Sequence, residues 1–342
     1  MTDRLLWHGG ALDEATARFG DPGPAGWLDL STGIAPRPYP FPPVPPTAWT
    51  RLPQAADEAL FLDTVRRVHR VPAAAGLAAL PGEQGVLPVL ADVGAPAGEV
   101  VVPDPGYGGH AEAWTLAGRP VNAVPDPLAW AGRAAVVVLI NPNNPTGQTW
   151  PVDRVLDAAT RQAQAGGWLI VDEAFAEVTP GISVLPWAGR PGLVVLRSLG
   201  KFFGLPGARL GWLAGPPGLE AAVARRLGPW AVSGPALFIG RAAEGNALWR
   251  RRQRLRLDNR RRRLDGVLAG AGFTLAGGTS LFRYVEVPAP THAHDWFNAL
   301  ARRGILVRAF AGDATHLRVG LPPDRQGLSR LARALAETTA RP

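Results

Sequence analysis

Lys201 is the one lysine in this chain; among its 36 lysine and arginine residues, every other is arginine. Arginine replaces lysine for surface charge and ion pairing, but its delocalised guanidinium stays protonated and does not condense with an aldehyde. A composition so biased that still keeps one primary amine assigns chemistry to that amine. Its neighbours sharpen the assignment: Ser198 lies three residues before it and Arg209 eight after it, in Ser198-Leu199-Gly200-Lys201 and Arg209-Leu210-Gly211. A covalent anchor between a hydroxyl and a guanidinium, both phosphate ligands, is what a phosphorylated aldehyde such as pyridoxal phosphate requires.

These side chains need a frame. Short apolar runs at 100–102, 135–140, 168–171, 193–196 and 209–214 alternate with helical stretches. That pattern predicts a mostly parallel sheet covered by helices on both faces. In open α/β sheets, ligands collect outside the carboxyl ends of the strands, and the polar residues fall there. Asn141-Pro142-Asn143-Asn144-Pro145-Thr146-Gly147 follows 135–140, and Asp172-Glu173-Ala174-Phe175 follows 168–171. Arg197-Ser198-Leu199-Gly200-Lys201 follows 193–196, and Pro103-Asp104-Pro105-Gly106-Tyr107 follows 100–102. Beyond this region a long helical stretch at 236–270 leads to strand-like segments at 281–287, 305–309 and 316–319, with helices near 292–303 and from 324. Prolines clustered over 36–53 favour extended backbone. The expected organisation is an N-terminal arm at 1–54 that contributes to the small domain and the site, a large cofactor-binding domain at 55–235, and a small α+β domain at 236–342.

Composition narrows the classes. With 342 residues and 46% hydrophobic content the chain is globular. The absence of cysteine excludes disulfides, thiolate metal sites and cysteine nucleophiles, and fits the cytoplasm. The first twenty residues lack the apolar core of a signal peptide, and the longest wholly apolar run, 134–140, is too short to cross a bilayer. The net charge of +8 suits anionic small molecules. The basic run at 250–263 reads as the solvated face of a helix whose buried stripe is Leu248, Leu255 and Leu264. It shows no stacking aromatics and no DNA-reading motif, so neither nucleic acid nor membrane is an expected partner. His292 and His294 lack a third ligand, so they read as a helix start and no metal is expected.

Each of these features has an ordinary reading by itself. Ser198-Leu199-Gly200-Lys201 is a plausible turn and lacks the upstream glycine of a Walker A loop. Asp172 could cap a helix, Tyr107 could simply pack, and Asn-Pro-Thr-Gly is a common turn. Their coincidence at four strand ends is what points to one site. Together, NPNNPTG, DEAF, SLGKFFGLPGARLG and LRVG resemble the fold-type I pyridoxal phosphate enzymes, the aspartate aminotransferase superfamily, over essentially the whole chain. The resemblance implies an α/β fold of the fold-type I transferase kind, with a large, mostly parallel domain and a smaller α+β domain. It implies that Lys201 holds the cofactor covalently and that Asp172 pairs with its ring nitrogen. Asn144 would bond the ring 3-oxygen, with Tyr107 stacked on one ring face and Ala174 beneath the other. Ser198 and Arg209 would hold the phosphate, helped by backbone N–H groups of Gly82, Glu83 and Gln84 at an apparent helix start, with Glu83 contributing backbone only. Arg318 would take the substrate carboxylate as a bidentate fork.

The N-terminal motifs His8-Gly9-Gly10, 29–36 (Asp-Leu-Ser-Thr-Gly-Ile-Ala-Pro) and Arg51-Leu52-Pro53 resemble the threonine-phosphate decarboxylases of cobalamin biosynthesis. Phe175 agrees, since many aminotransferases carry tyrosine there. This implies decarboxylation of L-threonine O-3-phosphate, a small phosphorylated amino acid, by a homodimer. His8, Gly33, Asn144, Arg308 and Arg318 would meet the substrate. The chain departs from its relatives at Ala35, often asparagine, and at Leu52, often a tyrosine reaching the neighbouring subunit. The alternative is an aminotransferase of the histidinol-phosphate type. A regulator using this fold would need a DNA-binding domain before the arm, and a catalytically dead relative would not retain Lys201, Asp172, Asn144 and Arg209 together. In either enzyme, Lys201→Ala abolishes turnover and covalent capture of the cofactor. Borohydride reduction and peptide mapping should find the cofactor on the Lys201 peptide of the wild type and on no peptide of the variant.

Overall fold

The computed structural model describes residues 4–339. The chain divides into two compact units, one of 38–144 and 148–250, the other of 1–37, 145–147 and 251–342.

The larger unit is built on seven strands: β1 (Gly76–Leu80), β2 (Val100–Pro103), β3 (Val121–Val124), β4 (Val136–Ile140), β5 (Trp168–Asp172), β6 (Leu193–Ser198) and β7 (Gly211–Gly215). Their order across the sheet is β1-β7-β6-β5-β4-β2-β3. The strands from β2 to β6 run parallel, and β7 is antiparallel to both its neighbours. β4 is buried along its whole length, which is why it reads as an unbroken apolar run rather than an alternation. One face of the sheet presents Val136, Val138, Ile170, Val194, Leu196 and Leu213 to a single core cluster. Each such side chain contributes about 1.5–3 kcal/mol when withdrawn from water. Register fixes the rim: Ile140 pairs with Asp172, and Asp172 with Leu196. The loops after β4, β5 and β6 therefore leave the sheet side by side.

In the smaller unit, β8 (Thr274–Gly278), β9 (Phe282–Glu286), β10 (Arg308–Phe310) and β11 (Asp313–Gly320) form an antiparallel sheet in the order β10-β11-β9-β8. Leu28–Asp29 pairs in parallel with Ile305–Leu306. The helices Ala293–Ala301 and Arg325–Thr339 belong to the same unit. Among the described residues, no helix is long and apolar enough to cross a membrane.

Beyond β3, β8 and the Leu28–Asp29 strand, which the sequence expectation did not include, three further differences stand out. The helical stretch at 236–270 is two helices, Gly234–Gly245 and Ala247–Gly270; Asn246 separates them and accepts a hydrogen bond at its Oδ1 from the Trp249 N–H, 3.0 Å. The buried stripe of the second helix is not Leu248, Leu255 and Leu264. Leu248 and Leu255 are exposed, while Gln253, Leu257, Leu264 and Leu268 are buried. Leu255 and Leu264 lie nine residues apart, which at about 100° per residue puts them on opposite faces. Lastly, β1 was not anticipated, because Gly-Leu-Ala-Ala-Leu is poor in β-formers and owes its conformation to pairing with β7.

Pro145-Thr146-Gly147, the end of the NPNNPTG motif, packs within the smaller unit, where the Gly278 N–H donates to the Thr146 carbonyl at 2.8 Å. Gly147 has φ +73°, and a Cβ there would lie 2.3 Å from the Gly278 carbonyl oxygen. Left-handed backbone and backbone-to-backbone contact both demand glycine. Gly147→Ala should therefore lower stability by about 2–4 kcal/mol, read as a fall in the midpoint of thermal or urea unfolding.

Candidate active site

One cavity of the larger unit is lined by the loops that follow β1, β2, β4, β5 and β6. At the end of β5, Asp172 is buried. Its Oδ1 accepts from the Ala174 N–H at 2.9 Å and its Oδ2 lies 2.9 Å from His110 Nε2. Burial alone would raise the Asp172 pKa, but the hydrogen bond and charge of His110, with a bond from Glu83 and the Ala174 N–H, hold it below the usual carboxylate range. This carboxylate stays ionised inside the protein. His110 is fully buried in the helix Gly108–Leu116. Sequence reading passed over it; its only signal was its place three residues after Tyr107, in the first turn of the helix that follows β2.

Glu83 holds the complementary proton. Burial, then the charge of Asp172 and a side-chain hydrogen bond to it, push the Glu83 carboxyl well above its ordinary value, against the opposing charges of Lys201 and Arg197. Glu83 and Asp172 thus form a carboxyl–carboxylate pair that shares one proton. The side chain of Glu83 lines the cavity and is not confined to a backbone role. The segment carrying it is a single 3₁₀ turn, Glu83–Gly85, before the short helix Leu87–Leu90. Gly82 precedes that turn at φ +76°, and a Cβ there would come within 2.6 Å of Arg209 Nη2. The glycine lets a guanidinium lie against the backbone.

The other anticipated cofactor residues line the same cavity. Gln84 Oε1 accepts from the Tyr107 hydroxyl at 2.7 Å. Burial, then the charges of Glu83 and Asp172, push the Tyr107 phenol up to about 12. Asn144 is carried by a loop pinned where Asn143 Nδ2 donates to the Pro105 carbonyl at 2.8 Å. Ser198 closes β6, and its Oγ accepts from the Gly200 N–H at 3.3 Å. Lys201 Nζ stands 5.8 Å from the centre of the Phe175 ring, and Ala174 lies beside them in the wall. Arg209 follows the 3₁₀ turn Pro206–Ala208 in left-handed conformation, φ 48°, a strained geometry for a non-glycine residue of the kind that collects at functional sites.

The anticipated substrate residues other than Asn144 belong to the smaller unit. Arg308 and Arg318 are direct cross-strand partners on β10 and β11, and both are buried. Arg308 donates to the carbonyls of Leu5, 3.2 Å, and Trp7, 2.5 Å. Arg318 donates to the Ser31 carbonyl at 2.5 Å and lies 5.2 Å from the centre of the Phe282 ring. Gly33 is buried and His8 exposed. The strand pair β10–β11 therefore sets two buried arginines opposite each other, and Arg308 ties down the backbone just before His8.

Residues 64–335 match the family described as Aminotransferase class I and II. The chain belongs to that family. It is 41% identical to a threonine-phosphate decarboxylase of Pseudomonas aeruginosa over 97% of each chain. It is 42% identical to one of Sinorhizobium sp over 96% of this chain and 97% of the other. It shares its fold with histidinol-phosphate aminotransferase from Sinorhizobium meliloti in complex with pyridoxal-5'-phosphate, at a TM-score of 0.83 and 22% identity over 96% of this chain and 94% of that one. As in other members of the family, the donor set fits this cofactor. A primary amine, a carboxylate held ionised and a glycine-relieved approach of Arg209 to the 82–84 backbone supply the three kinds of grip it needs.

The shared proton sets a pH dependence. Because the Glu83 pKa is raised on folding, the folded chain binds more protons than the unfolded one, so stability falls as pH rises above the ordinary glutamate value of about 4.5. Glu83→Gln keeps a donor for Asp172 without the titration. Thermal melts of the cofactor-free protein should lose stability as pH rises above about 4.5 in the wild type and far less in the variant.

Proposed function

We propose that this chain is a pyridoxal-phosphate-dependent carboxy-lyase of cobalamin biosynthesis that converts L-threonine O-3-phosphate to (R)-1-aminopropan-2-yl phosphate and CO2. The observation that carries this reading is the similarity to threonine-phosphate decarboxylases along nearly the full length of both chains. The gathering of Lys201, Asp172, Asn144, Tyr107, Ser198 and Arg209 around one cavity supports it.

In this reading Lys201 holds the cofactor's aldehyde carbon, and Ser198 and Arg209 take its phosphate with the backbone N–H groups of Gly82, Glu83 and Gln84. Asn144 bonds the 3-oxygen. Tyr107 and Ala174 confine the ring. Bound cofactor supplies an electron sink for the pair released when a bond at the substrate Cα breaks. Asp172 keeps a proton on the ring nitrogen, and its ionised state, protected by His110, makes that possible. His110 acts through Asp172 and is a positioning residue. Arg318 takes the substrate carboxylate, while Arg308, His8 and the Gly33 backbone take the phosphate. Guanidiniums suit both anions, because charge-assisted bonds are worth about 1.5–3 kcal/mol each. The Cα–carboxylate bond breaks, the carboxylate departs as CO2, and a proton replaces it on Cα. No keto acid takes part.

We also propose that the enzyme works in the cytoplasm as a homodimer. Phe41, Trp49 and Leu52 are exposed in the proline-rich stretch of the larger unit and Leu60 in the helix Ala55–His69 that follows it, and exposed apolar side chains gathered in one segment mark association surfaces.

The deciding experiment incubates the purified holoenzyme with threonine phosphate and no acceptor. CO2 should be released stoichiometrically with aminopropanol phosphate over many turnovers. Accumulation of pyridoxamine phosphate, discharged by 2-oxoglutarate, would identify an aminotransferase instead.

A further inference from the structure

The smaller unit holds a second cavity, of about 250 Å³, lined by Arg37, Arg260, Arg263, Arg325, Asp324 and Leu328. None of these residues belongs to the site described above. Four guanidiniums face it from three segments: the end of the arm, the helix Ala247–Gly270 and the first residue of the helix Arg325–Thr339. Arg260 and Arg263 sit at i and i+3, on one face of their helix, a spacing at which like charges destabilise.

Neighbouring arginines are neutralised and these are not. Arg261 pairs with Asp258 at 2.8 Å and Asp265 at 2.7 Å, Arg262 with Asp258 at 3.0 Å, and Arg283 with Asp265 at 2.6 Å. Arg37, Arg263 and Arg325 make no ion pair among the described residues. Arg260 directs its Nη1 at the carbonyls of Pro322, 2.8 Å, and Pro323, 2.5 Å, which fixes the guanidinium at the cavity wall. The one carboxylate, Asp324, is engaged: its Oδ1 accepts from the Gly327 N–H at 2.8 Å. Burial, then the charge of Arg37, and also that of Arg263, disfavour the charged form of Arg260 against the pull of Asp324. Folding has gathered four guanidiniums around a single carboxylate, and a bound anion would supply the remaining counter-charge.

We propose that this cavity is an anion site for a small, multivalent phosphate-type group, either inorganic pyrophosphate or the polyphosphate tail of a nucleotide. Planar guanidinium forks match phosphate oxygens in pairs, and several forks converging from different segments select a multiply charged ligand over chloride. The volume lies below the roughly 300–1,000 Å³ of pockets that enclose drug-sized molecules, so the charged group enters and any nucleoside stays outside.

The test is thermal unfolding of the holoenzyme, saturated with pyridoxal phosphate, against increasing pyrophosphate, with sodium chloride at matched ionic strength as the control. A Tm rise of roughly 2–5 °C is expected, approaching that size as the ligand exceeds its Kd about a hundredfold. A second arm uses ATP without magnesium. An equal or larger rise assigns the site to a nucleotide tail, and a rise with pyrophosphate alone assigns it to the inorganic ion. The double variant Arg263→Gln, Arg325→Gln should weaken the response at least about tenfold in Kd while leaving decarboxylation unchanged. Arg318→Gln should leave the Tm response intact. The proposal is overturned if sodium chloride reproduces the rise, or if the double variant retains it. It is equally overturned if Arg318→Gln removes it, because the anion would then be occupying the substrate's own site. Since no arm reads turnover of threonine phosphate to decide binding, failure here is distinct from failure of the decarboxylase reading.

Discussion

A negative charge held inside the protein governs this site. Asp172 lies at the carboxyl end of a central strand, away from water, and an uncompensated charge there would cost several kcal/mol. Three neighbours prevent that outcome: the His110 ring, the Ala174 N–H and the acid form of Glu83. Each comes from a different connection at the rim, so the carboxylate also acts as a fastener. The connections after β1, β2 and β5 converge on this one buried carboxylate.

Behind that rim lies a second buried charge system, set there by strand alternation. Asp172 faces the cavity. Its neighbour Glu173 points the other way, accepting from Ser183 Oγ and the Val184 N–H, each at 2.7 Å. Arg197 and Ser198 divide in the same manner, with Ser198 lining the cavity and Arg197 reaching Glu173 and Glu177. Glu177 is shared with Arg250 at 2.8 Å, and Glu244 is held by His69 at 2.9 Å. This mesh of acids and guanidiniums joins β6, the loop after β5 and the helices Ala55–His69 and Gly234–Gly245. It has the character of a rigid backing: buried networks with every member satisfied favour a single arrangement. His69, Glu177 and Glu244 have the spacing of a metal cluster, yet Arg197 and Arg250 already supply the positive charge.

What could be read from the sequence was local. The valine-rich runs of β2, β4 and β6 declare themselves because a strand buried on both faces needs no alternation, and the polar loops after them follow directly in the chain. Lys201, Ser198 and Arg209 were legible because twelve residues of sequence contain them all. What escaped depends on contacts distant in sequence. His110 has meaning only through Asp172, 62 residues away. The turning of the Glu83 side chain into the cavity depends on the same carboxylate. β1 exists because β7 is there to pair with it, and the phase of the arginine-rich helix is set by which leucines find a core.

The bias towards arginine has a further consequence. Aldehydes attack exposed amines indiscriminately, and an enzyme that uses one as its cofactor is ordinarily liable to acquire it in the wrong places. Here the surface offers the reagent guanidiniums, which resist condensation and keep their charge to very high pH. Apart from the chain's own α-amino group, only the Lys201 amine in the pocket is a target. The protein can sit in a large excess of free cofactor without its surface being derivatised, and its positive exterior is chemically inert towards the molecule it carries within.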